Sequence, residues 1–116
     1  MMNADDITTA LDAIQAEMCK MLAAEESPYD GGRNIWGIAM SHSSTSPEVM
    51  HPLWLIWGAL TDWVENKPDE KAQAEKEMLR AAREWLSLEP KDSSTMVVYL
   101  ERWVYDEMGY ERKEKA

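Results

Sequence analysis

The sequence predicts an all-α fold, an irregular bundle of four main helices plus a short apolar segment, built around a central tryptophan-rich helix. Three observations predict it. Apolar residues recur at helical spacing in four separate stretches. The one uniformly apolar run, residues 35–40, has no second convincing strand to pair with, and a lone strand would leave its backbone groups unsatisfied. Residues 51–65, HPLWLIWGALTDWVE, carry three of the six tryptophans. At about 100° per residue, Leu53, Ile56, Trp57, Leu60, Trp63 and Val64 of that stretch fall on one broad arc, as in a helix lying in a core. Trp54 and Leu55 fall outside the arc, so the first half of this helix is apolar on more than one side.

The remaining elements follow in chain order. Asn3 or Asp5 can cap the first helix, and Ile7, Leu11, Ile14, Met18 and Met21 form a seam for one helical neighbour. Glu25 would land on that seam, so the helix is expected to end near Ala24. Its back, with Thr9, Ala13, Ala16 and Ala23, is small enough for another element to come close. Residues 27–34, SPYDGGRN, read as a turn or loop, residues 35–40 as a brief helix, and residues 41–46 as a polar linker. Pro47 suits a first helical turn capped by Ser46, whereas Pro52 would bend a helix running through it. The central helix therefore starts at Pro47 with a bend or cleanly at Pro52.

Residues 66–69 separate it from a fourth stretch in which the pattern changes. Residues 69–77 are polar nearly all round, while Met78, Leu79, Ala82, Trp85 and Leu86 make a compact stripe, so only the second half is expected to dock. Pro90 ends it. Asp92, Ser93 or Ser94 can cap the last helix, which turns Met96, Val97, Leu100, Trp103 and Val104 to the core and stops at Gly109. A single domain over residues 1–109 is expected, with 110–116 a charged, frayed tail.

Charge narrows the function classes. Twenty-two acidic against twelve basic residues give a net charge of −10, which disfavours direct contact with nucleic acid or an anionic membrane and favours a basic protein partner. The longest apolar run, residues 53–60, is far short of the roughly 20 residues a bilayer needs. Cys19 is the only cysteine and cannot form an internal disulfide, and the acidic start is unlike a secretory leader, so a cytoplasmic location is the expectation.

No arrangement of reactive residues stands out. His42 lies among serines, but neighbours in a chain rarely place a hydroxyl and an imidazole correctly, and no nucleophile elbow is present. Cys19, His42 and His51 lack zinc-ligand spacing, the two Glu-x-x-His motifs of a carboxylate-bridged di-iron bundle do not occur, and Gly31-Gly32-Arg33 matches no phosphate loop. No enzyme, cofactor or metal is expected.

Two surface features remain. The first thirty residues hold Asp5, Asp6, Asp12, Glu17, Glu25, Glu26 and Asp30 against Lys20 alone. We read Asp5, Asp6, Asp12, Glu17, Glu26 and Asp30 as an acidic face for a basic partner, since clustered charge steers association. On the last helix Val98, Arg102 and Tyr105 fall opposite the core stripe and form a second candidate face of a composition common at interfaces. The leading expectation is a non-enzymatic adaptor or inhibitor. In its sharper form the partner binds nucleic acid, and the carboxylates of the first helix stand where phosphates would stand. Small acidic helical proteins of phages and mobile elements, including inhibitors of CRISPR effectors, have this general character, but no family motif is matched. The alternative is a homo-oligomer or small structural subunit using the second face and the methionines.

Overall fold

A computed structural model describes residues 4–44, 47–89 and 92–109, and every regular element within them is helical. In α1 (Ala4–Leu22) the seam turns inward: Ile14, Met18 and Met21 are buried, and Ile7 and Leu11 pack partly against them. Ala10 joins this face. Thr9, Ala13, Ala16 and Ala23 are exposed, so the small-residue back is not used for close approach as the sequence suggested. The helix ends at Leu22 because Ala24 turns left-handed, with φ +61°. The Ala24 N–H then donates to the Met21 carbonyl at 3.2 Å and the Glu25 N–H to the Lys20 carbonyl at 2.8 Å. This pair of closing bonds usually falls to glycine.

The segment read as a loop is instead the start of a helix, α2 (Pro28–His42). Ser27 Oγ accepts the Asp30 N–H at 3.1 Å and Pro28 occupies the first turn. The two glycines that suggested a turn are buried where α2 meets its neighbours. A Cβ on Gly31 would stand 2.5 Å from Met21 Cε, and one on Gly32 would stand 3.1 Å from Thr61 Cγ2 and 3.3 Å from Trp57 Cε3. Here glycine serves close packing, which offsets a helix-propensity cost of about 0.5–1 kcal/mol relative to alanine. Residues 35–40 form part of the same helix, so the described residues form five α-helices where four and a short apolar segment were expected.

The central helix, α3 (Pro47–Asn66), starts at Pro47 and continues through Pro52. Pro52 has no N–H to give the Glu48 carbonyl, a loss confined to the opening turns. Trp57 and Leu60 are buried at 0% and 1% exposure, while Trp54 and Leu55 are half-buried. The apolar arc and its overflow are both as the spacing implied.

A short tight turn (Pro68–Glu70) leads into α4 (Lys71–Leu86). Met78, Ala82 and Trp85 are buried as expected. The first half is docked as well, contrary to the polar reading: Ala74 is buried, and Glu75 accepts the Tyr29 N–H at 3.2 Å. An alanine and one long carboxylate are enough to hold it, and neither stands out in a hydrophobic pattern.

Asp92 caps α5 (Ser93–Glu101), accepting the Thr95 N–H at 2.9 Å. The helix then widens into a π turn (Arg102–Glu107) in which the Met108 N–H reaches the Trp103 carbonyl at 2.8 Å, and Gly109 at φ +81° follows it. Trp57, Trp85 and Trp103, from α3, α4 and the π turn, are the largest fully buried side chains. Trp85 Nε1 donates to Gln15 at 3.0 Å and Tyr99 Oη to the Ala81 carbonyl at 2.8 Å, with the Trp85 and Tyr99 rings 5.2 Å apart, edge to face. Residues 110–116, read from the sequence as a tail, lie outside the described residues. Among those described, no helix is long and apolar enough to cross a membrane.

Candidate functional site

The acidic face divides into two kinds of carboxylate. Asp12 and Asp30 are exposed, and among the described residues no ion pair engages their side chains. Asp5 and Asp6 lie in the first turn of α1, with side chains outside the described part of the structure. Glu17 and Glu26 are turned toward the protein's own fold. Glu17 accepts from Asn34 Nδ2 at 3.0 Å and sits 3.7 Å from Lys20 Nζ. Glu26 Oε1 is buried against the space left by Gly31, with no donor directed at it among the described residues.

Two ionised carboxylates close together disfavour one another, which favours protonation of one of them. Its hydrogen bond to Glu17, then burial and the Glu17 charge, push Glu26 up to about 7, with Lys20 pulling down and Asp30 pushing up. Glu17 moves the other way. Burial pushes it up, but bonds from Glu26 and Asn34 and the Lys20 ammonium outweigh that and leave it lowered.

The sign for stability follows. A raised folded value means that the Glu26 contribution is full below its unfolded value of 4.5 and is lost as pH rises through about 7. Glu17 contributes above its unfolded value and loses that as pH falls through its lowered one. Glu26→Gln, whose amide can donate to Glu17 at any pH, should leave stability near that of the parent at about pH 5 and raise it at about pH 8. Thermal melts across that range check this; parallel curves for the two proteins would refute the shared proton.

The second candidate face is split. Val98 and Arg102 line a crevice of about 490 Å³ between α4 and α5, and Val98 is 67% exposed. Tyr105 lines a different crevice, of about 160 Å³, beside Glu48, His51 and Glu101. Arg102 is also occupied. It donates to Glu84 at 2.5 Å and to Glu107 at 3.1 Å, while Arg80 donates to Glu77 at 2.6 Å, Glu84 at 3.2 Å and Glu107 at 2.7 Å. Trp103 Nε1 adds a bond to Glu84 at 3.0 Å, and Arg80 lies 4.5 Å over the Trp103 ring. Burial pushes Glu84 up, but Arg102 and Trp103 hold it below the usual carboxylate range, and burial pushes the Tyr99 phenol up. The two arginines thus join α4 to the π turn.

A third site escaped the sequence reading. Between α2 and α3 lies a groove of about 340 Å³ lined by Arg33, Trp36, Trp54, Leu55, Asp62 and Glu65, among others. Gly58 makes room for it: a Cβ there would stand 3.2 Å from Trp36 Cδ1 and Nε1. At one end Glu65 Oε2 accepts from Tyr29 Oη at 2.6 Å and Arg33 at 3.0 Å, and Tyr29, ahead of the opposing burial and Arg33, keeps Glu65 lowered. Trp54 leans on His51, ring centres 5.2 Å apart. The signal in the sequence was the pair Trp54 and Leu55 lying off the arc.

The chain matches no protein-family model, no curated protein and no solved structure.

Among the described residues no group of three or more His, Cys, Asp or Glu could hold a metal ion. Glu48 and His51 stand one turn apart on α3, at the spacing of a single Glu-x-x-His, where a di-iron bundle takes two. Cys19 is exposed.

Proposed function

We propose that this protein is a non-enzymatic binding module, an adaptor or inhibitor that docks on a basic protein. One observation carries the reading. Arg33, Arg80, Arg102 and Lys20 are each bound to carboxylates of the same chain, while Asp12, Asp30 and Asp62 are exposed and enter none of these pairs. Four of the twelve basic residues are thus engaged within the chain, and exposed carboxylates remain on a chain of net charge −10.

The test uses affinity capture on the full chain at low and high salt. A basic partner should be retained at low salt, fall away as salt screens the attraction, and bind less to a chain carrying Asp12→Asn and Asp30→Asn. Glu17 is left unchanged because it bonds Asn34 and Lys20 within the fold. A partner held equally at high salt, or indifferent to both substitutions, would overturn the reading. In its sharper form the partner is a nucleic-acid-binding protein, and added duplex should then displace the module from it.

Val98 supports a second reading. An apolar side chain 67% exposed at the rim of the α4–α5 crevice is a candidate contact for a second copy of the chain. Self-association that Val98→Lys abolishes, with little response to salt, would favour it over the first.

A further inference from the structure

We propose that the groove between α2 and α3 receives an arginine side chain of the basic partner, with its guanidinium against the Trp36 indole and bonded to Asp62. The proposal rests on the basic-partner reading and gives that contact a place. Its model is the chain's own junction of α4 with the π turn, where Arg80 lies 4.5 Å over the Trp103 ring while Glu77, Glu84 and Glu107 bind its nitrogens. Indole beneath and carboxylate at the edge is an arrangement this fold fills with a guanidinium.

The groove offers the same elements to an outside group. Trp36 is half-buried, and among the described residues it makes no hydrogen bond, ion pair or ring contact. Asp62 is exposed on the opposite helix and enters no ion pair among the described residues. The guanidinium already lining the groove, that of Arg33, is bonded to Tyr29 and Glu65 at one end. Gly58 keeps the Trp36 ring close against α3, as a Cβ there would press on it at 3.2 Å. A negative groove with an available indole favours a cation, because the ring face and the carboxylate both attract it. Arginine fits better than lysine, because its planar fork can stack on the ring and bind a carboxylate with two nitrogens together.

The experiment titrates the full-length, nitrogen-labelled chain with an oligo-arginine peptide at low salt, following indole and backbone N–H signals. Oligo-lysine and oligo-glutamate peptides serve as comparisons. The Trp36 indole and the Gly58 amide should shift most, oligo-glutamate should leave them unmoved, and oligo-arginine should bind about threefold or more tightly than oligo-lysine. Asp62→Asn and Trp36→Leu should each weaken oligo-arginine binding by about threefold. Asp62 is exposed, so its variant keeps the test sound even if Trp36→Leu disturbs the fold. Shifts confined to the Asp12 and Asp30 surface, with Asp62→Asn without effect, would overturn the groove while leaving the basic-partner reading standing. Equal binding of oligo-lysine would overturn the arginine assignment. Failure of both cationic peptides to bind at low salt would overturn both readings.

Discussion

Trp57→Ala should lower the stability of the fold by about 3–5 kcal/mol, the range for emptying a large buried aromatic site. Trp57 is wholly buried in the central helix, its ring edge lies at the Gly32 crossing, and its carbonyl accepts the Thr61 hydroxyl at 2.8 Å. The surrounding helices cannot collapse into the vacated volume without moving α2, which is held at Gly31 and Gly32 from two sides. Chemical denaturation checks the value, and a loss below about 1 kcal/mol would mean that the site relaxes freely. Trp57→Phe should cost much less than alanine. Among the described residues the buried Trp57 Nε1 hydrogen has no acceptor, so phenylalanine removes an unsatisfied donor together with part of the ring.

Trp103→Ala should cost a similar amount, again about 3–5 kcal/mol, for a reason that adds polar to apolar terms. The ring is fully buried, it lies beneath Arg80, and its N–H is one of the bonds on Glu84. Removing it empties a core position and also strips support from the Arg80, Glu84, Arg102 and Glu107 network. Trp103→Phe separates the two terms, since it keeps most of the packing and the face beneath Arg80 but not the bond to Glu84. If phenylalanine proves as damaging as alanine, the polar term dominates; if it is nearly neutral, packing does.

The sequence made the helical class readable because Trp57, Leu60, Met78, Trp85, Leu100 and Trp103 all stand at helical spacing on faces that the fold buries. Spacing reports where a helix is apolar, not what lies against it. That is why α2 was misread at its start: Gly31 and Gly32 usually mark turns, and only the nearness of Met21, Thr61 and Trp57 shows them to be packing positions. The acidic face was legible as charge but not as use. Nothing local reveals that Glu17 and Glu26, nine positions apart, meet across the α1–α2 corner. Arg102 looked available because its partners Glu84 and Glu107 are supplied by packing. The groove needed two helices side by side, so Trp36 and Asp62 could not be joined before the fold was known.

The left-handed alanine at the end of α1 bears on how any partner would be met. Closed by two backbone bonds after Leu22 and by the Ser27 cap before α2, the corner has little freedom left to lose. Asp30, in the first turn of α2 behind the Ser27 cap, is thus held in place before encounter. Association at this surface then spends little entropy on ordering the acidic side, and exchanging Ala24 for glycine would relieve a left-handed strain of about 1 kcal/mol while leaving the presented geometry as it was.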